Sequence, residues 1–185
     1  MLPDGARDRL LGEVGTARDR LVVTWLADGG LRIGELCGLH LVDLHLREDA
    51  ACGQCPSPHV HVCHRPGNPN RAQAKTKHPW RVDDHVVIGG LIRRVSPAMV
   101  HTYFDYVTSE YPRGRGAGHG MLLVQLRGPR RGQPWAPVAA RRMLDRAGRR
   151  AGLGAVRPHS FRHSFATAVL DAADGNLVIA RDAGG

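Results

Sequence analysis

The stretch HSFRHSFAT, residues 159–167, decides the reading of this chain. His159 and Arg162 stand three apart, so on a helix they share a face, and an imidazole beside a guanidinium suits a phosphate. The run opens a final helix that continues through VLDAAD and stops before Gly175. Working outward, Pro137 at a first helical position and Gly152 past a last turn bracket another helix, which carries Arg141, Arg142, Arg146, Arg149 and Arg150. MLLVQL, residues 121–126, predicts a short buried strand or extended segment, and Ser96-Pro97 caps and starts a helix over AMVHTYFDYVTSEY. HVHVCH, residues 59–64, alternates as a strand does; a turn-rich segment from Pro66 to Asn70 follows, and a second strand region falls between Trp80 and Val95.

Towards the start, a short amphipathic helix is predicted from Asp4 to Val14. Thr16 caps a second, with Leu21, Val22, Trp25 and Leu26 on its apolar side and Gly29-Gly30 at its end. In LRIGELCGL, residues 31–39, Leu31, Glu35, Leu36 and Leu39 recur at helical spacing. Trp25, Phe161 and Phe165 are expected in the core. The expectation is an α+β chain, mainly helical, with a small antiparallel β-sheet, forming one domain over residues 1–185.

Charge narrows the function. The 26 Lys and Arg residues outnumber 17 Asp and Glu, giving a formal net charge of +9, which favours an anionic partner, nucleic acid above all. The first residues lack the pattern of a signal peptide and no apolar run approaches the length of a membrane span, so the sequence predicts a cytoplasmic protein without membrane association. All but two of the basic residues are arginine, and the two lysines, Lys75 and Lys77, stand together in AKTKHPWR, residues 74–81. A lysine can give up its proton when its pKa is lowered; arginine cannot. Arg32 after a Gly-Gly turn, Lys75 in the turn of a hairpin, and His159 with Arg162 together supply two guanidinium forks, an ammonium and an imidazole, which can surround one phosphate.

These residues resemble a known family, the tyrosine recombinases or phage integrases. LRIGEL resembles the family's first arginine motif, Lys75 its hairpin lysine, and HSFRHSFAT its His-x-x-Arg box, in the family's order and over nearly the whole chain. The resemblance implies a tyrosine-recombinase-like catalytic domain that cuts and rejoins double-stranded DNA through a phosphotyrosyl link, as a multimer with other recombinase protomers and without metal or nucleotide cofactor. It implies that Arg32 and Arg162 clamp the non-bridging oxygens, Lys75 protonates the leaving 5′-oxygen and His159 hydrogen-bonds the phosphate. Glu35 would orient Arg32, and His163 is expected to pack or to support the site rather than act in it. Lys75 is preferred over Lys77 on position.

The chain also departs from the family pattern. Arg32 lies too near Met1 for the family's N-terminal core-binding domain, and DAGG, residues 182–185, resembles the start of the C-terminal turn that precedes the nucleophile. The tyrosines present, Tyr103, Tyr106 and Tyr111, precede the His-x-x-Arg box and are expected to pack or face solvent. The expectation is therefore a fragment, truncated at both ends, that binds DNA without forming a covalent adduct. RVDDHVVIGGLI between AKTKHPW and RRVSP suggests an inserted, longer hairpin. The alternatives are a non-catalytic DNA-binding integrase remnant and a basic RNA- or ribosome-associated protein.

Two further features have a bland and a sharp reading. Arg142, Arg146, Arg149 and Arg150 fall near one helix face, as a DNA-backbone stripe or an ordinary solvated face. CGQCPSPHVHVCH, residues 52–64, raises a zinc question for Cys52, Cys55, His59, His61 and Cys63, although the usual second Cys or His pair is missing. Cysteines and histidines on a solvated sheet face are the expected arrangement there, and no metal is assigned.

Overall fold

The computed structural model describes residues 1–112 and 117–172. Helix α1 (Ala6–Glu13) leads into α2 (Ala17–Gly29), which starts where Thr16 accepts a hydrogen bond from the Asp19 backbone N–H at 3.0 Å and ends at Gly30 in the left-handed region, φ 58°. Leu21, Val22, Val23, Trp25 and Leu26 of α2 are all fully buried, so the helix is covered on nearly every side rather than along one stripe. Around it pack α1, α4 (Pro97–Ser109), α5 (Pro137–Arg150) and α6 (Pro158–Ala172). The Trp25 indole N–H donates to the Met99 carbonyl at 3.0 Å, tying α2 to α4.

The α4, α5 and α6 starts agree with expectation: Ser96 caps α4 with Pro97 at its first position, and Pro137 opens α5. LRIGELCGL yields only the short α3 (Ile33–Cys37). Phe161 is buried, whereas Phe165 is only half-buried, its ring lying against Gly30. Residues 121–124 are buried but form no strand: the chain bends at Leu122 and is joined to the rest by single bridges from Met121 to His40 and Val124 to Pro134. The end of the predicted final segment, including DAGG, lies outside the described residues.

The sheet is more divided than expected. Strands β1 (Leu44–His45), β2 (His59–Val62) and β5 (Leu91–Arg94) form one antiparallel sheet in the order β1-β2-β5, with Val60 opposite Arg93 and His61 opposite Ile92. The single strand region predicted after Trp80 is three strands, because β3 (Trp80–Asp83) and β4 (Val86–Gly89) pair only with each other. Their turn, Asp84-His85, has positive φ at both residues, the geometry that matches the twist of a two-residue hairpin. RVDDHVVIGGLI thus contains a hairpin of its own. Lys75 is not in its turn, because residues 71–79 have no regular structure and precede β3.

All four β2 residues are buried, which overturns the expectation of a solvated sheet face. Val60 and Val62 join the core, while His59 and His61 point the other way and are equally covered. Burial, reinforced by His61 and His59, pushes the nearby His45 imidazole down to about 4.

Candidate active site

Two glycines decide how the site assembles. A side chain at Gly30 would meet the Phe165 ring at 2.3 Å, so only glycine lets α6 press against the end of α2. That contact brings Arg162 to the chain turn, where its Nη1 donates to the Gly30 carbonyl at 2.9 Å. Gly34 does the same for the lysine segment, since a Cβ there would stand 2.6 Å from the backbone carbonyl of Gln73. Two asparagines anchor that segment on the other side. Asn70 donates to the Cys37 and Trp135 carbonyls at 2.8 and 2.9 Å, and Asn68 donates to Ala72 O at 3.1 Å.

Arg32 is the N-cap of α3. Its backbone N–H and its Nη1 each donate to the Glu35 carboxylate at 2.8 Å, while the Glu35 side chain is fully buried and that of Arg32 is 44% exposed. The buried carboxylate therefore holds an exposed guanidinium in one orientation. Glu35 has the orienting geometry that the resemblance implied.

These pieces meet in one groove of about 930 Å³. Arg32, Lys75, His159 and Arg162 all line it, from a helix cap, an irregular segment and α6. Lys77 is not among its lining residues. Arg141 from α5 and Arg157 before α6 also line it, so five cationic side chains face one carboxylate, Asp145. Such an excess, with guanidinium forks that match phosphate oxygens, suits the groove chemically to a polyanion. His159 Nε2 lies 2.7 Å from His163 Nε2 in an exposed pair, so one ring donates a proton to the other. His163 thus touches His159 rather than the core.

Arg93 is a site residue that the sequence reading missed. It is buried, its Nε and Nη2 have no hydrogen-bond partner, and burial followed by Arg162 and Arg32 pushes its guanidinium below its ordinary value, with Glu35 opposing. It feels the charges of Arg162, Arg32 and Glu35 from beside the site and does not itself line the groove. A signal existed: alternation through LIRRV turns one of the two adjacent arginines towards the core. Arg141 belonged to the arginine helix but not to its expected stripe. Of that stripe, Arg149 pairs with Asp145 and Arg150 with Glu13, each exposed, as on a solvated face.

Among the described residues no tyrosine lines the groove. The Tyr106 hydroxyl donates to Leu122 O, that of Tyr111 donates to Met121 O, and burial raises the pKa of both and of Tyr103. All three pack, as one of the two sequence expectations had it.

No family model matches the chain. Transposase A from transposon Tn554 of Staphylococcus aureus is 25% identical over 155 residues, which is 84% of this chain and 37% of the transposase. The chain thus spans little more than a third of that relative. The XerA recombinase structure aligns with a TM-score of 0.68 at 22% identity, over 97% of this chain and 53% of XerA. The XerH site-specific recombinase, solved with a palindromic difH substrate after cleavage, aligns with a TM-score of 0.60 at 15% identity, over 100% of this chain and 45% of XerH. Alignment of nearly the whole of this chain with about half of each of these recombinases gives the chain the tyrosine-recombinase fold.

Proposed function

We propose that residues 1–185 act as one catalytic-type unit that grips a phosphodiester of double-stranded DNA in the groove, the step around which site-specific recombination by strand cleavage and rejoining is organised. The observation that carries this reading is the convergence of Arg32, Lys75, His159 and Arg162, from three distant stretches of chain, on one groove. Arg32 and Arg162 bind the non-bridging oxygens, where a positioned arginine stabilises the spreading charge of a phosphoryl transition state by roughly three to five orders of magnitude in rate. Lys75 gives its proton to the departing 5′-oxygen. His159 hydrogen-bonds the phosphate and passes protons, with His163 as its partner. Glu35 fixes Arg32.

Tyr103, Tyr106 and Tyr111 do not attack, because their hydroxyl groups are committed elsewhere or half-buried. The chain alone therefore binds DNA without a covalent link. In a full-length protein this unit works beside other recombinase protomers.

Fluorescence anisotropy with a labelled duplex across a salt series tests the reading. Arg32→Ala and Arg162→Ala should each weaken binding and lower the salt slope by about 0.9, the release of one phosphate counterion. Arg131→Ala, at an exposed position away from the groove, is the control. Equal effects from all three variants would sink the assignment, as would an SDS-stable adduct on nicked DNA abolished by Tyr103→Phe, Tyr106→Phe or Tyr111→Phe.

A further inference from the structure

The outer face of β2 carries a cluster that the groove does not use. His59 and His61 leave the strand on this face, His45 reaches it from β1, and Cys52 reaches it from the loop between the strands. One ligand atom from each of the four lies within 4.8 Å of every other. His59, His61 and Cys52 are buried and His45 is half-buried at the edge. The three rings have centroids 4.7 to 5.0 Å apart.

Hydrogen bonds fix which nitrogens point inward. His59 Nδ1 lies 2.7 Å from Ser57 O and His61 Nδ1 lies 2.6 Å from Gly89 O. A carbonyl can only accept, so each ring carries its proton on Nδ1 and leaves a lone pair on Nε2. The inward Nε2 of His59 stands 3.2 Å from Cys52 Sγ. The Nε2 atoms of His61 and His45 are buried without any partner, an expensive arrangement for polar atoms unless something else satisfies them.

We propose that His45, Cys52, His59 and His61 form a tetrahedral structural zinc site. With Zn–N near 2.0–2.1 Å and Zn–S near 2.3 Å, the edges of such a tetrahedron are about 3.3–3.6 Å. The Cys52–His59 edge, at 3.2 Å, is already near that length, and the widest pairs, up to 4.8 Å apart, would close by about 1.2–1.5 Å on binding. The backbone carbonyls behind His59 and His61 are the outer partners that orient metal-binding imidazoles. Three imidazoles with one thiolate favour zinc over the hard cations, which take oxygen ligands. Four protein ligands leave no open position, so the site holds structure rather than performs chemistry. On binding, the Cys52 thiol releases its proton to solvent and the sulfur–metal bond forms; the neutral imidazoles release none.

The ligand pattern is His-x6-Cys-x6-His-x-His, residues 45–61, rather than a Cys-x2-Cys knuckle. Cys55 lies outside the cluster, and Cys63 instead neighbours Arg65 and Asp43. The metal would pin the loop between β1 and β2 onto the sheet. Through His61 and Gly89 it would also fix the β3–β4 hairpin that follows the lysine segment.

The test uses the whole chain, purified under reducing conditions without a histidine tag. Elemental analysis should find about one zinc per chain. After exchange for cobalt, the visible bands of a tetrahedral site should appear with a sulfur-to-cobalt charge-transfer band. Cys52→Ser should abolish that band, while Cys55→Ser and Cys63→Ser leave it intact. If Cys52→Ser does not fold, His45→Gln, at the half-buried edge, should weaken zinc binding about tenfold or more. Wild-type protein that is folded by circular dichroism, yet keeps under about 0.1 zinc per chain after incubation with excess zinc and desalting, would overturn the proposal. So would a charge-transfer band that survives Cys52→Ser, or one that depends on Cys55 or Cys63.

Discussion

Gly34→Ala tests how the site is assembled, because two opposing effects of known sign meet there. Gly34 lies inside α3 without a positive φ, so alanine should favour the helix by about 1 kcal/mol. Against this, the new methyl would stand 2.6 Å from the Gln73 carbonyl, which is backbone and cannot swing aside. Reaching 3.4 Å, where ordinary contact begins, moves the segment by about 0.8 Å. Overpacking of this kind costs about 1–3 kcal/mol, leaving a net loss of about 0–2 kcal/mol and a fall in Tm of up to about 8 °C. Lys75 sits two residues beyond Gln73, so the same displacement withdraws its ammonium from the groove, and the salt slope of DNA binding should drop by up to about 0.9. Gly12→Ala is the matched control. It lies in α1 with nothing within 4 Å, so it should gain about 0.4–1 kcal/mol and leave DNA binding unchanged. Thermal unfolding by circular dichroism and anisotropy titrations read both variants. If Gly34→Ala stabilises the chain as Gly12→Ala does and binds DNA equally well, the close approach of the lysine segment to α3 is refuted.

Other consequences concern the frame around the groove. Asp43 is fully buried and receives both Arg65 Nη atoms at 2.8 and 2.6 Å, so Arg65→Ala strands a buried carboxylate and should cost about 3–5 kcal/mol in urea unfolding. The double variant with Asp43→Ala should lose less than the sum of the two singles; additivity would show that the pair is not coupled. The Cys37 thiol is fully buried and pushed up to about 12, above its ordinary 9.0. A raised folded value means that this contribution is fully present below pH 9 and is lost as pH rises from 9 towards 12. Alkaline urea titrations should therefore show stability falling above pH 9, with a shallower fall for Cys37→Ala; an identical slope would contradict the assignment.

Local chemistry made the helices legible. The Thr16 and Ser96 caps, the proline starts at Pro97 and Pro137, and the Gly30 stop act within a few residues, so their signals are contiguous. The arginine, lysine and histidine boxes were legible for a different reason: each holds its chemistry in a few neighbouring residues, and their order along the chain matched a family. Three strands where one strand region was expected show the limit, because pairing β2 with β5 across the β3–β4 hairpin is a choice among distant segments.

Burial was the least readable property. HVHV alternates as a half-exposed strand does, yet both faces are covered, because the loop between β1 and β2 folds over the histidines. That same covering brings in His45, which carries no local sign of partnership with Cys52, His59 and His61. Arg93 likewise reads as a surface charge until the sheet turns it towards Glu35 and Arg162. The sequence by itself determined the helices, the basic character and the residues that can hold a phosphate, since these depend on short-range spacing and composition. Only the tertiary structure decided that Arg32, Lys75, His159 and Arg162 share one groove and that a histidine cluster lies buried behind the sheet, because both depend on close approaches between residues far apart in the chain, at Gly30, Gly34 and the outer face of β2.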